Sequence, residues 1–525
     1  MSYRVCIPTA GTGSRLGELT KFINKSLVSI ANRPILSHII EQFPSDVEFV
    51  IPLGYKGNLV REFLELAYGN RKFFFQEVSL FEGYGSGLGL SLISCKRYLQ
   101  QPFIFISCDT LVKEPIPSPQ ENWMAFSETA ELKSYRTLKI TDNRVLSIHE
   151  KEDKKDSNSK AYIGLAGIKD YQAFWSVMDQ DKQEALLTGE VFGLRTLLLD
   201  KDVMAHAFTW YDTGNVSSLN LARFAYQEQS APSILEKTNE AIWFVDNQVI
   251  KFSDDQKFIA NRVKRVQELN NFVPKVTDTR LNMYRYSKVE GKVLSDVITL
   301  PLFEKLLQHC KRFWIKKEQV SLTETENDFR EACMKFYRDK TFERVALFYK
   351  NFNQKDGTES INGLPMPKLE VLLNLIDWEW LAKGLPARFH GDLHFENILW
   401  DESKELFTFL DWRQDFGDNT SVGDIYYDFA KLLHGMIITH EFIAKDLYRI
   451  TRENDKIIFD FHRKQILVEC ERHFVSWLES EGYDRKKVWI LTALIYLNIA
   501  ALHHSPYSLL LFALGKSMLN NELES

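Results

Sequence analysis

Short apolar runs alternate with stretches of helical period over roughly the first 225 residues. The runs at 4–8, 47–52 and 103–107 predict buried strands, and the segments 35–43, 59–67 and 88–98 between them predict helices. Strand and helix in turn imply an α/β fold with a parallel, doubly wound sheet. In such sheets ligands bind beyond the carboxyl ends of strands, which is where Gly11 to Arg15 and Asp109 fall. A polar stretch, Gln227-Glu228-Gln229-Ser230-Ala231-Pro232-Ser233, predicts a boundary. Beyond it, short strands are expected at 241–245, 248–252 and 282–286, with a helix at 260–269. From about Leu294 the period is mostly helical. The expected organisation is two domains, 1–228 and 233–525, the second with a small strand lobe ahead of a large helical one. The most apolar tract, 489–514, is interrupted by Asn498, His503-His504 and Pro506. A bilayer span needs about 20 unbroken apolar residues, so two packed helices are expected there and no membrane span.

Composition narrows the class. At 525 residues the chain is too long for one ordinary core, and 45% hydrophobic with 26% charged residues is a soluble globular balance. A net charge of −6 and a pI near 6.1 give no reason to expect nucleic acid or an acidic membrane as partner. The N-terminus runs straight into a strand with no apolar signal core, and the six cysteines are scattered without a CxxC pair. Reduced thiols in a cytoplasmic protein are therefore expected, without a zinc site.

The first candidate site is Ala10-Gly11-Thr12-Gly13-Ser14-Arg15-Leu16. A glycine turn after a strand frees backbone N–H groups to cradle phosphates. It leads through Leu19-Thr20 to Asn24-Lys25-Ser26-Leu27 and Pro34-Ile35-Leu36. This series resembles the signature of the sugar-nucleotide and phosphocholine nucleotidyltransferases, with Asn24 where that family usually has proline. The resemblance continues over residues 3–222. It implies base and ribose contacts from Gln76 and Gly85-Ser86-Gly87, magnesium carboxylates at Asp109 and at Asp212 in Trp210-Tyr211-Asp212-Thr213-Gly214, and acceptor contacts near Gly164 and Glu190. Two anions must meet in the reaction, so neutralising charge dominates the barrier. Arg15 would grip the triphosphate with its planar fork, and Lys25 would neutralise the α-phosphate or the incoming one. No general base is needed, because the attacking phosphate carries no proton that must leave.

The second candidate site is His390-Gly391-Asp392, then Asn397, then Asp411 beyond a hairpin. It resembles the choline kinase and aminoglycoside phosphotransferase family, a branch of the protein-kinase fold, over residues 235–435. The resemblance implies that Asp392 orients or accepts the substrate hydroxyl proton and that Asn397 and Asp411 hold Mg²⁺ for in-line γ-phosphate transfer. Gly423-Asp424-Ile425-Tyr426-Tyr427-Asp428-Phe429-Ala430 resembles the segment that follows in that family, with Asp424 expected to brace the catalytic loop. Lys251 is the expected strand lysine for ATP phosphates, paired with Glu268 or with another acid such as Glu240. Residues 233–247 hold no glycine, so a serine or threonine loop would have to cap the phosphates. Trp412, Asp415, Asp418, Tyr426 and Tyr427 could supply acids and aromatic faces to a cationic alcohol, and His503, His504 and Tyr507 could close that pocket. His390 and His394 are read as structural.

The combination implies a bifunctional enzyme. One domain would phosphorylate a small alcohol with ATP, and the other would convert the phosphoester with CTP or another nucleoside triphosphate, both with Mg²⁺, for surface glycan or lipid decoration. A choline-like, ethanolamine-like or other amino-alcohol or polyol substrate is favoured. A sugar kinase fused to a sugar-1-phosphate nucleotidyltransferase is the alternative, and a regulatory binding protein with a dead site is a third reading. The oligomeric state stays open.

Overall fold

Alternate side chains of the first strand, Arg4–Cys6, enter opposite cores: Val5 joins one apolar cluster and Cys6 another. The next strand, Glu48–Leu53, divides in the same way, with Phe49 and Ile51 on one face and Val50 on the other. A sheet covered on both faces needs such continuous apolar strands. The computed structural model describes residues 2–129, 132–151, 153, 158–227, 237–315 and 326–524.

The strands form a nine-stranded sheet. From one edge the first four are Phe73–Glu77, Glu48–Leu53, Arg4–Cys6 and Phe103–Ile106, all parallel. The long strand Ser159–Ile168 then runs antiparallel to both Phe103–Ile106 and Asn122–Ser127, so the sheet is mixed and only partly the parallel sheet expected. Cys6 lies opposite both Val50 and Phe105, which brings the loops after these strands to one edge. A left-handed Gly164 (φ 71°) interrupts the long strand, and a Cβ there would lie 3.1 Å from the Cβ of Ser107. Its carbonyl accepts from the Ser107 amide, which fixes the approach to Asp109.

By its contacts the chain divides into two compact units, Met1–Ile259 with Thr277–Lys288 and Ala260–Val276 with Val289–Ser525. The boundary expected at 227–233 lies outside the described residues from 228 on. The small sheet expected to head the second domain, which includes Glu240–Val245, Gln248–Ser253 and Met283–Ser287, packs within the first unit. Trp243, Val245, Ile250, Phe252 and Met283 share one core with Phe63 and Leu66 of the helix Gly57–Ala67. The Trp243 ring meets Phe63 edge-on at 5.2 Å, and its Nε1 donates to Ser29 Oγ. The Phe244 amide donates to the Asn32 carbonyl, and the Asn282 amide to Glu62 Oε2, extending the same seam.

The second unit is mainly helical. The apolar tract at its end forms two packed helices, Arg485–Ala500 and Tyr507–Glu524, as expected. Among the described residues no helix is long and apolar enough to cross a membrane. A hairpin of Ile398–Asp401 and Leu406–Phe409 pairs Ile398 with Phe409, so Asn397 and Leu410-Asp411 meet at its open end. The unit also carries a four-stranded sheet that helical periodicity did not foretell, from Glu359–Ile361, Leu364–Met366, Tyr448–Glu453 and Lys456–Phe461. All six cysteines are free and buried.

Candidate active sites

In the first unit, the residues expected to hold phosphate and metal gather at the carboxyl edge of the sheet. Gly13 is left-handed (φ 68°), and a Cβ on it would come within 2.8 Å of the Lys25 Cβ. Glycine there lets the phosphate loop lie against the lysine loop. Lys25 Nζ sits 2.9 Å from Asp109 Oδ2, and Ser107 Oγ donates to Asp109 Oδ1. Thr213 ties its amide and hydroxyl to the Asp109 carbonyl at 2.9 and 3.1 Å. Asp212 Oδ1 accepts from the Gly214 amide and Oδ2 from the Tyr135 hydroxyl. Gly214 marks where these groups converge. A Cβ on it would lie 3.1 Å from Arg15 Nη2, 3.1 Å from Asp212 Oδ1 and 3.4 Å from Asp109 Oδ2.

The electrostatics follow from that crowding. Burial works against the Asp109 charge, yet Lys25, the Ser107 hydroxyl and Arg15 hold its carboxyl down at about 2. Burial likewise opposes the Lys25 charge, and Asp109 more than offsets it, raising the ammonium above its usual range. The neighbouring Cys108 thiol is pushed up by burial to about 11 and is inert.

In the sequence Asn24 stands out only as a departure from proline; in the structure it ties two loops together. It is fully buried. Its Oδ1 accepts from the Ser26 amide and hydroxyl, and its Nδ2 donates to the carbonyls of Thr9 and Tyr55. One side chain thereby fixes the lysine loop to the strand that precedes the phosphate loop. Gln76 and Ser86, both half-buried, make local bonds instead, to the carbonyls of Glu77 and Gly83. Glu190 is buried at the head of the helix Glu190–Asp200. Burial raises its carboxyl to about 7, opposed by Arg136. Gly164 serves the Ser107 approach described above.

In the second unit, Asp392 stands between two cations. Lys431 Nζ is 2.8 Å from its Oδ1, and His394 Nε2 is 3.7 Å from its Oδ2. Against the cost of burial, Lys431 and His394 together hold the Asp392 carboxyl well below the usual range. Burial opposes the His394 charge as well, but Asp392 and Glu396 raise that imidazole to about 9. Asn397 Nδ2 donates to the Asp392 carbonyl at 2.9 Å and to its Oδ2 at 3.2 Å. The Leu410 amide donates to the Asn397 carbonyl at 2.7 Å, which sets Asp411 beside Asn397. Asp411 is left-handed (φ 58°), and Arg262 Nη1 holds its Oδ1 at 2.9 Å.

The brace of the catalytic loop is Asp428, not Asp424. Asp428 accepts from the amides of His390 and Gly391 and from Trp314 Nε1. Asp424 accepts from Leu385, Tyr337 and Tyr426 and caps the helix Ile425–Ile437. Lys431, one turn along that helix, carries no signal in the sequence, because only the fold turns it toward Asp392.

Other expected residues are scattered. Lys251 is buried in its strand in the first unit, while Glu268 is exposed in the second, within electrostatic reach of Arg388. Glu240 pairs with Lys237. Trp412 is 1% exposed and donates to the Arg262 carbonyl, a packing position that offers no open face for a cationic alcohol. Tyr427 is buried against Phe336 and Tyr337, Asp415 accepts from Arg413 through its backbone carbonyl, and Asp418 pairs with Lys335. A groove of about 750 Å³ lined by Lys305, Trp400, Phe407 and His473, among others, shares none of the Asp392 cluster.

Comparison with known proteins places both halves. Residues 337–463 match the family model described as the phosphotransferase enzyme family. The bifunctional protein GlmU of Methanococcus vannielii is 29% identical over 30% of this chain and 38% of its own length. A probable glucose-1-phosphate cytidylyltransferase of Bacillus subtilis is 39% identical over 11% of this chain and 24% of its own. The chain thus spans well under half the length of these curated relatives. A solved CTP:phosphocholine cytidylyltransferase from Streptococcus pneumoniae aligns at 18% identity and a TM-score of 0.35, over 43% of this chain and 100% of that one. The chain joins an N-terminal region similar to sugar-phosphate nucleotidyltransferases to a C-terminal segment that matches the phosphotransferase enzyme family.

Proposed function

We propose that the chain is a bifunctional enzyme that phosphorylates a small alcohol and then transfers a nucleotidyl group to the phosphoester. The observation that carries the reading is the presence, in separate compact units, of two groups of oxygen donors flanked by cations. One is Asp109 with Asp212 beside Arg15 and Lys25, and the other is Asn397 with Asp411 and Asp392 beside Arg262 and Lys431. Both donor sets suit Mg²⁺, a hard ion that prefers carboxylate and amide oxygens. When bound, the ion would neutralise phosphate charge at each site.

In the kinase step the substrate hydroxyl oxygen bonds to the γ-phosphorus of ATP as the bond to ADP breaks. Asp392 aligns the hydroxyl, and the proton leaves through it as the new ester forms. Held well below the usual range, Asp392 is a weak base, which suits orientation and late proton acceptance. In the second step a phosphoester oxygen attacks the α-phosphorus of the nucleoside triphosphate and pyrophosphate departs. Lys25 and Arg15 lower the repulsion between the two anions. CTP is the favoured nucleotide, in keeping with the cytidylyltransferase among the relatives. An amino alcohol or polyol destined for a surface glycan or lipid is the favoured acceptor. Fusion would raise the local concentration of the intermediate to the millimolar range, without requiring a channel.

The test is a mass-spectrometric screen of small alcohols incubated with the full chain, ATP, CTP and Mg²⁺. A phosphoester and its nucleotide-activated form are expected from the same alcohol. Pyrophosphate release from the nucleoside triphosphate with sugar 1-phosphates as the sole effective acceptors would favour the sugar-kinase reading. Nucleotide binding without any turnover would leave only a regulatory protein.

A further inference from the structure

The face of the helix Ile425–Ile437 that bears Lys431 also bears His434, one turn on. His434 is 7% exposed, and its ring lies 6.4 Å from that of His394, which itself approaches Asp392. Tyr496 packs against the His434 ring at 4.9 Å and donates to the His434 carbonyl. Neither His434 Nδ1 nor Nε2 has a hydrogen-bond partner among the described residues. Burial, with Lys431 and His394 nearby, holds this imidazole well below its ordinary range, so it is neutral. A neutral imidazole offers one donor and one acceptor, and leaving both unmade in a buried place is costly.

The chemistry of the missing partner is restricted. A hydroxyl can satisfy either nitrogen, because it both donates and accepts. A quaternary ammonium does neither, and is held instead by open aromatic faces. The nearby rings are already engaged: Tyr427 packs on Phe336 and Tyr337, and Tyr496 on His434 itself. The charges around the acid are mainly cationic, with Lys431, His394, Lys340 and Arg413 against Asp392 and Glu396.

We propose that the buried ring of His434 binds a second hydroxyl of the acceptor while Asp392 aligns the reacting one, so that the kinase substrate is a polyol and not a quaternary amino alcohol. The inference rests on the kinase reading above. It narrows that reading, since choline has a single hydroxyl and a head group that cannot bond to imidazole.

The full chain with ATP and Mg²⁺ is offered glycerol, xylitol, ribitol, choline and ethanolamine, and ADP release is followed for each. Polyols are expected to turn over and choline is not. His434→Phe, which keeps a flat ring, should raise KM for the polyol at least about tenfold while leaving KM for ATP unchanged. His434→Gln, which keeps a donor and an acceptor, should recover part of the loss. An unchanged thermal midpoint in both variants excludes simple misfolding as the cause. Turnover of choline with all polyols inert, or an unchanged polyol KM in His434→Phe, overturns the inference and leaves the kinase reading standing. No ADP release with any of the five alcohols overturns both.

Discussion

Lys431 and His394 approach Asp392 from two sides, and at the scale of single residues they set what that acid can do. Replacing Lys431 with Met removes the charge while keeping most of the packing volume. The kinase kcat should fall on the order of 100-fold, read as ADP release, with nucleotidyl transfer unaffected. Glu190 gives a second residue-scale outcome. Its folded pKa, about 7, is raised from the ordinary 4.5 by burial, so the folded state prefers the protonated acid. The associated stability is fully present below about pH 4.5 and is lost as the pH rises through 7. Over that window the loss is on the order of 3 kcal/mol. The thermal midpoint of the first unit should therefore decline between pH 5 and 8, and Glu190→Gln should flatten the decline. A midpoint in the wild type that rises over that range would contradict the assignment.

Elements hold these side chains in place, and the lysine loop is the clearest case. Asn24→Ala would strip the Thr9 and Tyr55 carbonyls and two Ser26 donors of their partner inside a buried turn. A stability loss of roughly 2 kcal/mol is expected by chemical denaturation, with a rise in KM for the triphosphate as Lys25 loosens. Both consecutive motifs were readable in the chain because a glycine turn after a strand, or an acid and an amide five residues apart, fixes its geometry locally. The strands, helices and hairpin next to them were readable for the same reason. What could not be read depends on contacts between distant residues. Lys431 meets Asp392 only because the Ile425–Ile437 helix docks on the catalytic loop, where a Cβ on Gly435 would lie 2.9 Å from His394 Cβ. Two strands of the four-stranded sheet, Glu359–Ile361 and Leu364–Met366, have only three residues, too short to show a period of two. The six-residue pair Tyr448–Glu453 and Lys456–Phe461 sits among segments of helical period. Trp412 stands in a segment that also holds Asp411 and Asp415, which suits a pocket aromatic, yet it is enclosed by the fold.

At the scale of the whole molecule, the small sheet that bears Lys251 shares its apolar core with the first unit through Trp243, Phe252 and Met283. Cutting the covalent link should not undo that core. A chain cleaved once within 228–236 should therefore run as a single species on gel filtration, and fragments that separated would contradict the shared core. The shared core also argues for assaying the intact chain, since removal of residues 1–227 would uncover Trp243. The central claim is that two independent phosphoryl sites serve one small molecule in succession. It is tested most directly by assaying both reactions in Asp392→Asn and in Asp109→Asn, using the full chain with ATP, CTP and Mg²⁺. Asp392→Asn should abolish phosphorylation of the free alcohol and still activate supplied phosphoester, and Asp109→Asn should do the reverse. Loss of both reactions in each variant would contradict the account.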